Sequence, residues 1–303
     1  MRQAQISTWG SIPRLIHVPD LPAPLPDEVR VKVEASAVHR VVRSRASGKH
    51  YSAAQLPHIP GIDGVGTTEQ GQRVYFITFT TGTISDYINV PKASTFPVPH
   101  ALDPHQIAAA INPAMSSWMA FKGRTSNLPP DFTVLILGAT SASGRVAISL
   151  SRALGAKKVV GAARNTTALE MLDLDQTVTI ASDVEQTDFS NLDDVDVVLD
   201  YVYGPLAAHL FESLQTPKLV QYVHIGALST TEISLPGHVL RSKDITIRGA
   251  GPGSWSMQSF LKTLPNLLAA MRKVQDQPIR VAKFDDLEQE WEYSGPERLV
   301  FVP

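Results

Sequence analysis

The sequence of 303 residues contains no cysteine. Disulfide bonds, cysteine nucleophiles and thiolate zinc sites are therefore excluded. Charge is sparse and balanced, with 27 Lys and Arg against 29 Asp and Glu, which predicts neither nucleic-acid nor acidic-lipid binding. No apolar run approaches the roughly eighteen residues of a membrane span, and the N-terminus has no apolar segment long enough for a signal sequence. We expect a soluble, cytoplasmic protein.

The length suits two domains rather than one. Residues 1–110 are rich in proline, glycine and short alternating strands, which predicts a small irregular barrel. Two helices are expected between residues 103 and 123. Strands then alternate with helices, which predicts a doubly wound parallel sheet. An amphipathic helix over residues 260–274 and a strand at 298–302 end the chain.

Residues 133–165 read as strand, small-residue turn, helix and strand. Such a crossover joins parallel strands. The turn allows a pyrophosphate close to the backbone, and the helix N-terminus supplies N–H groups and partial positive charge. Only the last glycine of the dinucleotide fingerprint is present, so an ordinary turn of an α/β domain is the alternative. The candidate cofactor-binding residues are Gly138, Ala139, Thr140, Ser141, Ala142, Ser143 and Gly144.

The end of the second strand indicates which nicotinamide cofactor the turn would take. An NAD site has an acidic residue there, on the ribose 2′-hydroxyl. Here the strand ends at Arg164 and Asn165, and the first acid is Glu170. Arginine suits a 2′-phosphate through bidentate, charge-assisted hydrogen bonds, although it could be a surface residue only. We predict NADPH, with Arg164 and Asn165 among its contacts.

Several short segments follow one another in a characteristic order along nearly the whole chain. They are residues 24–33 (PLPDEVRVKV), 60–66 (PGIDGVG), 71–74 (GQRV), 138–144 (GATSASG), 197–202 (VVLDYV), 225–227 (IGA) and 244–249 (DITIRG). Their order resembles the medium-chain dehydrogenase/reductase family, in its zinc-free quinone oxidoreductase and enoyl reductase branch. The resemblance implies an α/β protein with a GroES-like barrel domain (1–110), a Rossmann domain (111–258) and a segment (259–303) that returns to the barrel.

The resemblance also implies a cleft between the domains where substrate and nicotinamide meet, and a homodimer formed through residues 245–247. Tyr51 matches a tyrosine at the mouth of that cleft, and His39 stands where the branch tends to have asparagine near the nicotinamide. We take Tyr51 and His39 as catalytic candidates that orient or donate to a carbonyl. A rim tyrosine and a packing histidine are the alternatives.

Further cofactor-binding candidates come from the same resemblance. Ser116 falls where the branch has a threonine near the nicotinamide ribose, although a helix-cap or core role is the alternative. The others follow sheet strands at their carboxyl ends, where open α/β sheets bind ligands. They are Tyr201, Ile225, Gly226 and Ala227.

The zinc enzymes of the family hold their metal with a Cys or Asp, a Gly-His-Glu segment and a later Cys. The corresponding positions here are His39 and the segment Gly61-Ile62-Asp63. His39 and Asp63 have suitable ligand types, but no third or fourth ligand is evident. We therefore predict no metal.

The expected reaction is hydride transfer from NADPH to a quinone or an α,β-unsaturated carbonyl. The cofactor supplies the chemistry, and the protein orients it and stabilises developing charge. Alcohol oxidation is less favoured without a Lewis acid on the alkoxide. A specialised biosynthetic enzyme, with another ketone or alkene substrate or a non-redox step, is one alternative. A non-catalytic NADPH-binding sensor is another.

Overall fold

The computed structural model describes residues 1–50, 52–53, 55–192 and 194–303. It divides the chain into two compact units. The barrel unit comprises residues 1–112, 264–272 and 276–303, and the Rossmann unit comprises residues 113–263 and 273–275. Within the described residues, no helix is both long and apolar enough to cross a membrane.

The bounds of the elements are as follows. The strands are β1 (Arg2–Gln5), β2 (Arg14–His17), β3 (Glu28–Ala37), β4 (Asp63–Thr68), β5 (Arg73–Ile77), β6 (Tyr87–Pro91), β7 (Thr95–Pro97), β8 (Thr133–Leu137), β9 (Lys158–Ala163), β10 (Gln176–Thr179), β11 (Val197–Asp200), β12 (Val220–His224), β13 (Ile245–Gly249), β14 (Ile279–Lys283) and β15 (Arg298–Val302). The α-helices are α1 (Arg40–Ala46), α2 (Pro104–Arg124), α3 (Ala142–Ala153), α4 (Thr166–Glu170), α5 (Pro205–Ser213), α6 (Gly237–Ser242), α7 (Met257–Ala270) and α8 (Leu287–Glu290).

Strand β3 is the centre of the barrel unit. Its valines alternate with charged residues, so Val31 and Val33 are buried while the charged side chains point away from this core. It pairs antiparallel with β4, β6 and β15. The sheet has the strand order β14-β15-β3-β4-β5-β7, and β1 and β2 form a separate pair.

The Rossmann unit is built on a six-stranded parallel sheet with the order β10-β9-β8-β11-β12-β13. Both faces of β8 are covered, because Val134 and Ile136 belong to one hydrophobic cluster while Leu135 and Leu137 belong to another. Buried parallel strands with alternate residues in two cores are typical of doubly wound sheets. The predicted fold of this region is confirmed. The order reverses between β8 and β11, and such switch points bind ligands.

The prediction of two helices between residues 103 and 123 is wrong. The structure has one helix, α2, with Pro113 inside it. Proline removes one amide donor and disturbs the preceding turn, but the apolar residues on both sides remain buried. Packing of that apolar face holds the helix together across the proline.

Candidate functional site

The turn between β8 and α3 has the backbone geometry of a phosphate-binding loop. Gly138 has φ +86°, in the left-handed region. A Cβ on Gly144 would lie 2.3 Å from the Gly138 carbonyl oxygen, so only glycine fits there. The Ser141 side chain caps α3 by accepting a hydrogen bond of 3.0 Å from the Gly144 amide. The glycine and serine therefore fix the start of the helix.

Three amides of this turn are left without an acceptor in the described part of the chain, those of Thr140, Ala142 and Ser143. The amides of Gly138 and Ala139 are used, because both donate to the Ala162 carbonyl oxygen at 2.8 and 3.1 Å. The unpaired donors stand at the positive end of a 12-residue helix. This cradle fits a pyrophosphate, which would accept from backbone N–H groups.

Arg164 follows β9 directly and is exposed. Within the described residues it forms no ion pair, so its guanidinium is available to a ligand. Asn165 differs, because its side chain caps α4 by accepting from the Ala168 amide at 3.0 Å. The structure therefore gives Asn165 a structural role and leaves Arg164 as the cation beside the turn.

Ser116 and Tyr201 lie together in the Rossmann unit. Their hydroxyl oxygens are 3.4 Å apart, and Ser116 donates at 2.6 Å to the Pro113 carbonyl oxygen. Tyr201 is buried in the core. Burial raises the pKa of the Tyr201 phenol to about 12, so it stays protonated at neutral pH.

Asp200 ties together the carboxyl ends of β11 and β12. One carboxylate oxygen accepts from the amides of Val202 and Tyr203 at 2.7 and 2.9 Å, and the other accepts from the Tyr222 hydroxyl. Its main-chain oxygen accepts from the amides of Ile225 and Gly226. Burial raises the pKa of the Asp200 carboxyl and also that of Tyr222. Asp200 therefore positions the segment 225–227 that the sequence analysis singled out.

The sequence analysis did not single out the neighbouring Tyr203 or His224. Tyr203 has φ +61°, which is uncommon for a bulky residue. Its ring lies 4.0 Å from that of His224, centroid to centroid. No residue pattern signals this pair, because the two side chains meet only through the pairing of β11 with β12.

In the barrel unit, His39 faces a buried aspartate. His39 precedes α1 and its side chain makes no capping bond. Its Nε2 atom lies 3.3 Å from Oδ1 of Asp63, and the two residues are 2% and 0% exposed. Tyr75 donates from its hydroxyl to Oδ2 of Asp63 at 2.8 Å. Burial, and then the adjacent Asp63, raise the pKa of Tyr75 well above its ordinary value.

Part of this cluster lacks hydrogen bonds. Among the described residues, both ring nitrogens of His39 and Oδ1 of Asp63 are buried without a well-aligned partner. An unsatisfied buried polar group costs about 1–3 kcal/mol. Arg298 lies nearby and donates from Nη1 to the Val38 carbonyl oxygen at 3.1 Å. Burial lowers the pKa of Arg298, and the opposing effect of Asp63 is smaller.

The structure describes one of the two catalytic candidates. His39 is placed beside Asp63 in the barrel unit, whereas Tyr51 lies outside the described residues. In the part of the chain that is described, no group of three or more His, Asp or Glu side chains is arranged to hold a metal ion.

Comparison with known proteins decides the family. No family model matches the chain. The protein named Probable NADPH-dependent quinone reductase tdiC, of Emericella nidulans, is 35% identical over 324 aligned residues, covering 91% of each chain. This chain belongs to the medium-chain dehydrogenase/reductase family. Within the family it falls in the quinone oxidoreductase branch, so it is an oxidoreductase. The quinone oxidoreductase of Sus scrofa is 29% identical over 153 residues, covering 47% of this chain and 46% of that protein.

Solved structures agree on the fold of this medium-chain reductase. The quinone oxidoreductase of Thermus thermophilus, whose complex with NADPH was also solved, has a TM-score of 0.82 at 21% identity and covers 100% of both chains. AibC has a TM-score of 0.83 at 18% identity, covering 100% of this chain and 96% of that one. The expected α/β fold with GroES-like and Rossmann domains is confirmed.

Proposed function

We propose that this medium-chain reductase transfers a hydride from NADPH to a quinone or an α,β-unsaturated carbonyl, without a zinc ion and in the interdomain cleft that the resemblance implies. The observation that carries the proposal is the cradle at residues 138–144 with an unpaired arginine at the end of the next strand. A relative 35% identical is named for NADPH-dependent quinone reduction. The cofactor of this chain is NADPH.

Each part of the cofactor has a proposed partner in the Rossmann unit. The unpaired amides of Thr140, Ala142 and Ser143 would donate to the pyrophosphate. The Arg164 guanidinium would bind the 2′-phosphate. Tyr201, Ser116 and the segment 225–227 would contact the nicotinamide end, since they stand at or beside the carboxyl ends of β11 and β12.

NADPH supplies the hydride when it is bound. The chain must then stabilise or protonate the oxygen of the acceptor on which negative charge develops. We assign this role to His39, because its buried ring nitrogens have no hydrogen-bond partner among the described residues. Tyr51 would be a second donor. Quinones and enones suit such a site, because delocalisation of the developing charge lowers the demand for a strong Lewis acid.

We also propose that the chain forms a homodimer through β13. This strand is at the edge of the sheet, and its residues Thr246–Gly249 are exposed. An edge strand with open backbone groups is a template for pairing with a second chain. A monomeric mass in light scattering at micromolar concentration would reject this assembly.

The function is tested by titrating the protein with NADPH and with NADH while following nicotinamide fluorescence. We expect tighter binding of NADPH, and Arg164→Ala should weaken NADPH binding roughly 10–100-fold, as expected for lost charge-assisted hydrogen bonds. NADH binding should be unchanged. Arg241→Ala is the control, because Arg241 is also exposed on the Rossmann unit and forms no ion pair within the described residues.

NADPH consumption is then measured with a panel of quinones and enones. Turnover supports the proposal. Tight binding without turnover on the panel would favour a specialised substrate or a sensor. Failure to bind either nucleotide would mean that the turn at residues 138–144 is only structural, and the proposed function would be rejected.

A further inference from the structure

We infer that Asp63 is a positioning residue that holds the His39 ring by Nε2–H and leaves Nδ1 as the nitrogen that serves the acceptor oxygen. The inference rests on the proposed function, in which His39 supplies a proton to that oxygen. It deepens that proposal by assigning the tautomer of the ring and the residues that fix it.

The first step is the placement of the carboxylate. Asp63 begins β4 and pairs with Ile77, while Tyr75 pairs with Val65. Asp63 and Tyr75 are therefore diagonal neighbours whose side chains share one face of the β4–β5 pair. The Tyr75 hydroxyl donates to Oδ2 at 2.8 Å. This bond anchors the carboxylate and directs Oδ1 towards His39.

The second step is the position of the proton. An ionised carboxylate can only accept, so a hydrogen bond across the 3.3 Å between Nε2 and Oδ1 requires the proton on Nε2. The two atoms are within reach of each other but are not aligned as a hydrogen bond in this structure. Hydrogen bonds at catalytic sites often become well aligned only when the ligand binds. In the neutral ring this leaves Nδ1 unprotonated. Nδ1 is then the ring nitrogen that can carry a second proton and release it.

The third step concerns the charges around the pair. Asp63 on β4 lies 3.3 Å from the ring, and Tyr75 on β5 donates to the other oxygen of Asp63. Arg298 on β15 interacts with the charge of Asp63, and Arg43 on α1 interacts with that of Arg298. Asp63 is thus the carboxyl group that contacts the His39 ring.

The chemistry balances with one proton from His39. Hydride addition oxidises NADPH and reduces the quinone or enone, which leaves a negative charge on the acceptor oxygen. The Nδ1–H bond then breaks as an O–H bond forms, and the neutral ring is protonated again from solvent. The Asp63 carboxylate holds the Nε2–H side of the ring while Nδ1 gives up its proton.

Nitrogen NMR of the histidine rings tests the tautomer without any turnover. In the wild type, the signal that His39→Asn removes should be that of a ring protonated on Nε2 and not on Nδ1 at alkaline pH. Asp63→Asn should change the tautomer ratio. A wild-type ring protonated on Nδ1 alone would overturn the inference, even if the enzyme is active.

Kinetics test the role in the reaction. Asp63→Asn should lower kcat at least 10-fold with little change in KM for NADPH. Tyr75→Phe should give a smaller loss in the same direction. If Asp63→Asn does not fold, Tyr75→Phe and the wild-type NMR spectrum decide.

Ser36→Ala is the matched control. The Ser36 hydroxyl donates to the main-chain oxygen of Asp63 at 3.3 Å and lies 2.6 Å from that of Thr83. Its removal disturbs the same buried cluster without changing the carboxylate, so kcat should stay near the wild-type value. A kcat for Asp63→Asn equal to that of the wild type would overturn the inference. Absence of turnover in the wild type would instead reject the proposed function.

Discussion

Both units of the molecule bury an aspartate that accepts a hydrogen bond from a tyrosine on the neighbouring strand. In the Rossmann unit, Asp200 is bonded to Tyr222 and its remaining oxygen is occupied by two backbone amides. In the barrel unit, Asp63 is bonded to Tyr75, and its remaining oxygen faces the His39 ring without a well-aligned hydrogen bond among the described residues. The same pair of side chains thus completes a structural network in one unit and leaves a polar group available in the other.

The largest expected effect separates the two aspartates by stability. Asp200→Ala removes the acceptor of three buried hydrogen bonds, at about 1 kcal/mol each. We expect it to lower the free energy of unfolding by roughly 3 kcal/mol, measured in urea. Asp63→Ala removes a single well-formed bond and should cost less. An equal or larger cost for Asp63→Ala would contradict the comparison.

The two tyrosines provide a finer test. Tyr75→Phe and Tyr222→Phe each leave one buried carboxylate oxygen without its donor, and each should cost about 1–3 kcal/mol in unfolding experiments. Turnover with a quinone should respond differently, falling in Tyr75→Phe and staying near the wild-type value in Tyr222→Phe. Equal losses of turnover would show that the two aspartate–tyrosine pairs do not differ in function.

The smallest expected effect is a pH dependence of stability that both units share. Burial lowers the pKa of His58 in the barrel unit, with Arg45 adding to the effect, and burial lowers the pKa of His224 in the Rossmann unit. In the unfolded chain each histidine has a pKa of about 6.5. Below that pH, these two histidines bind more protons in the unfolded chain than in the folded chain. Stability should therefore fall as the pH drops from 6.5 towards the lower pKa of each folded group.

Melting temperatures at pH 7.5 and pH 5.5 check this direction. His58→Gln and His224→Gln should each reduce the difference between the two temperatures. The control is His238→Gln, because His238 is exposed and lies 3.0 Å from Glu212. A melting temperature that rises on acidification would contradict the prediction.

The turn between β8 and α3 could be predicted because its signals are local. The apolar run to Leu137, the small residues and the helical spacing from Val146 all lie within one stretch of sequence. Arg164 follows from the end of the next strand. The structural role of Asn165 was not predicted, because a residue after a strand can equally bind a ligand or cap the following helix.

The cluster around His39 could be predicted only in part. The resemblance drew attention to His39 and Asp63 but not to Tyr75, which the register of β4 with β5 brings to Asp63. Strand register depends on pairing between distant segments, which spacing along the chain does not reveal. The core neighbours of Tyr201 could not be predicted for a related reason, since they come from several separate strands and helices.

The pairing of β15 with β3 has a consequence for synthesis of the chain. Val300 and Phe301 pair with Ala37 and Ser36, so the end of β3 at residues 36–37 keeps an open edge until β15 has been synthesised. The Rossmann sheet is assembled from residues 133–249 and can form earlier. Nascent chains stalled before β15 should therefore expose a strand edge, a feature that promotes aggregation and recruits chaperones.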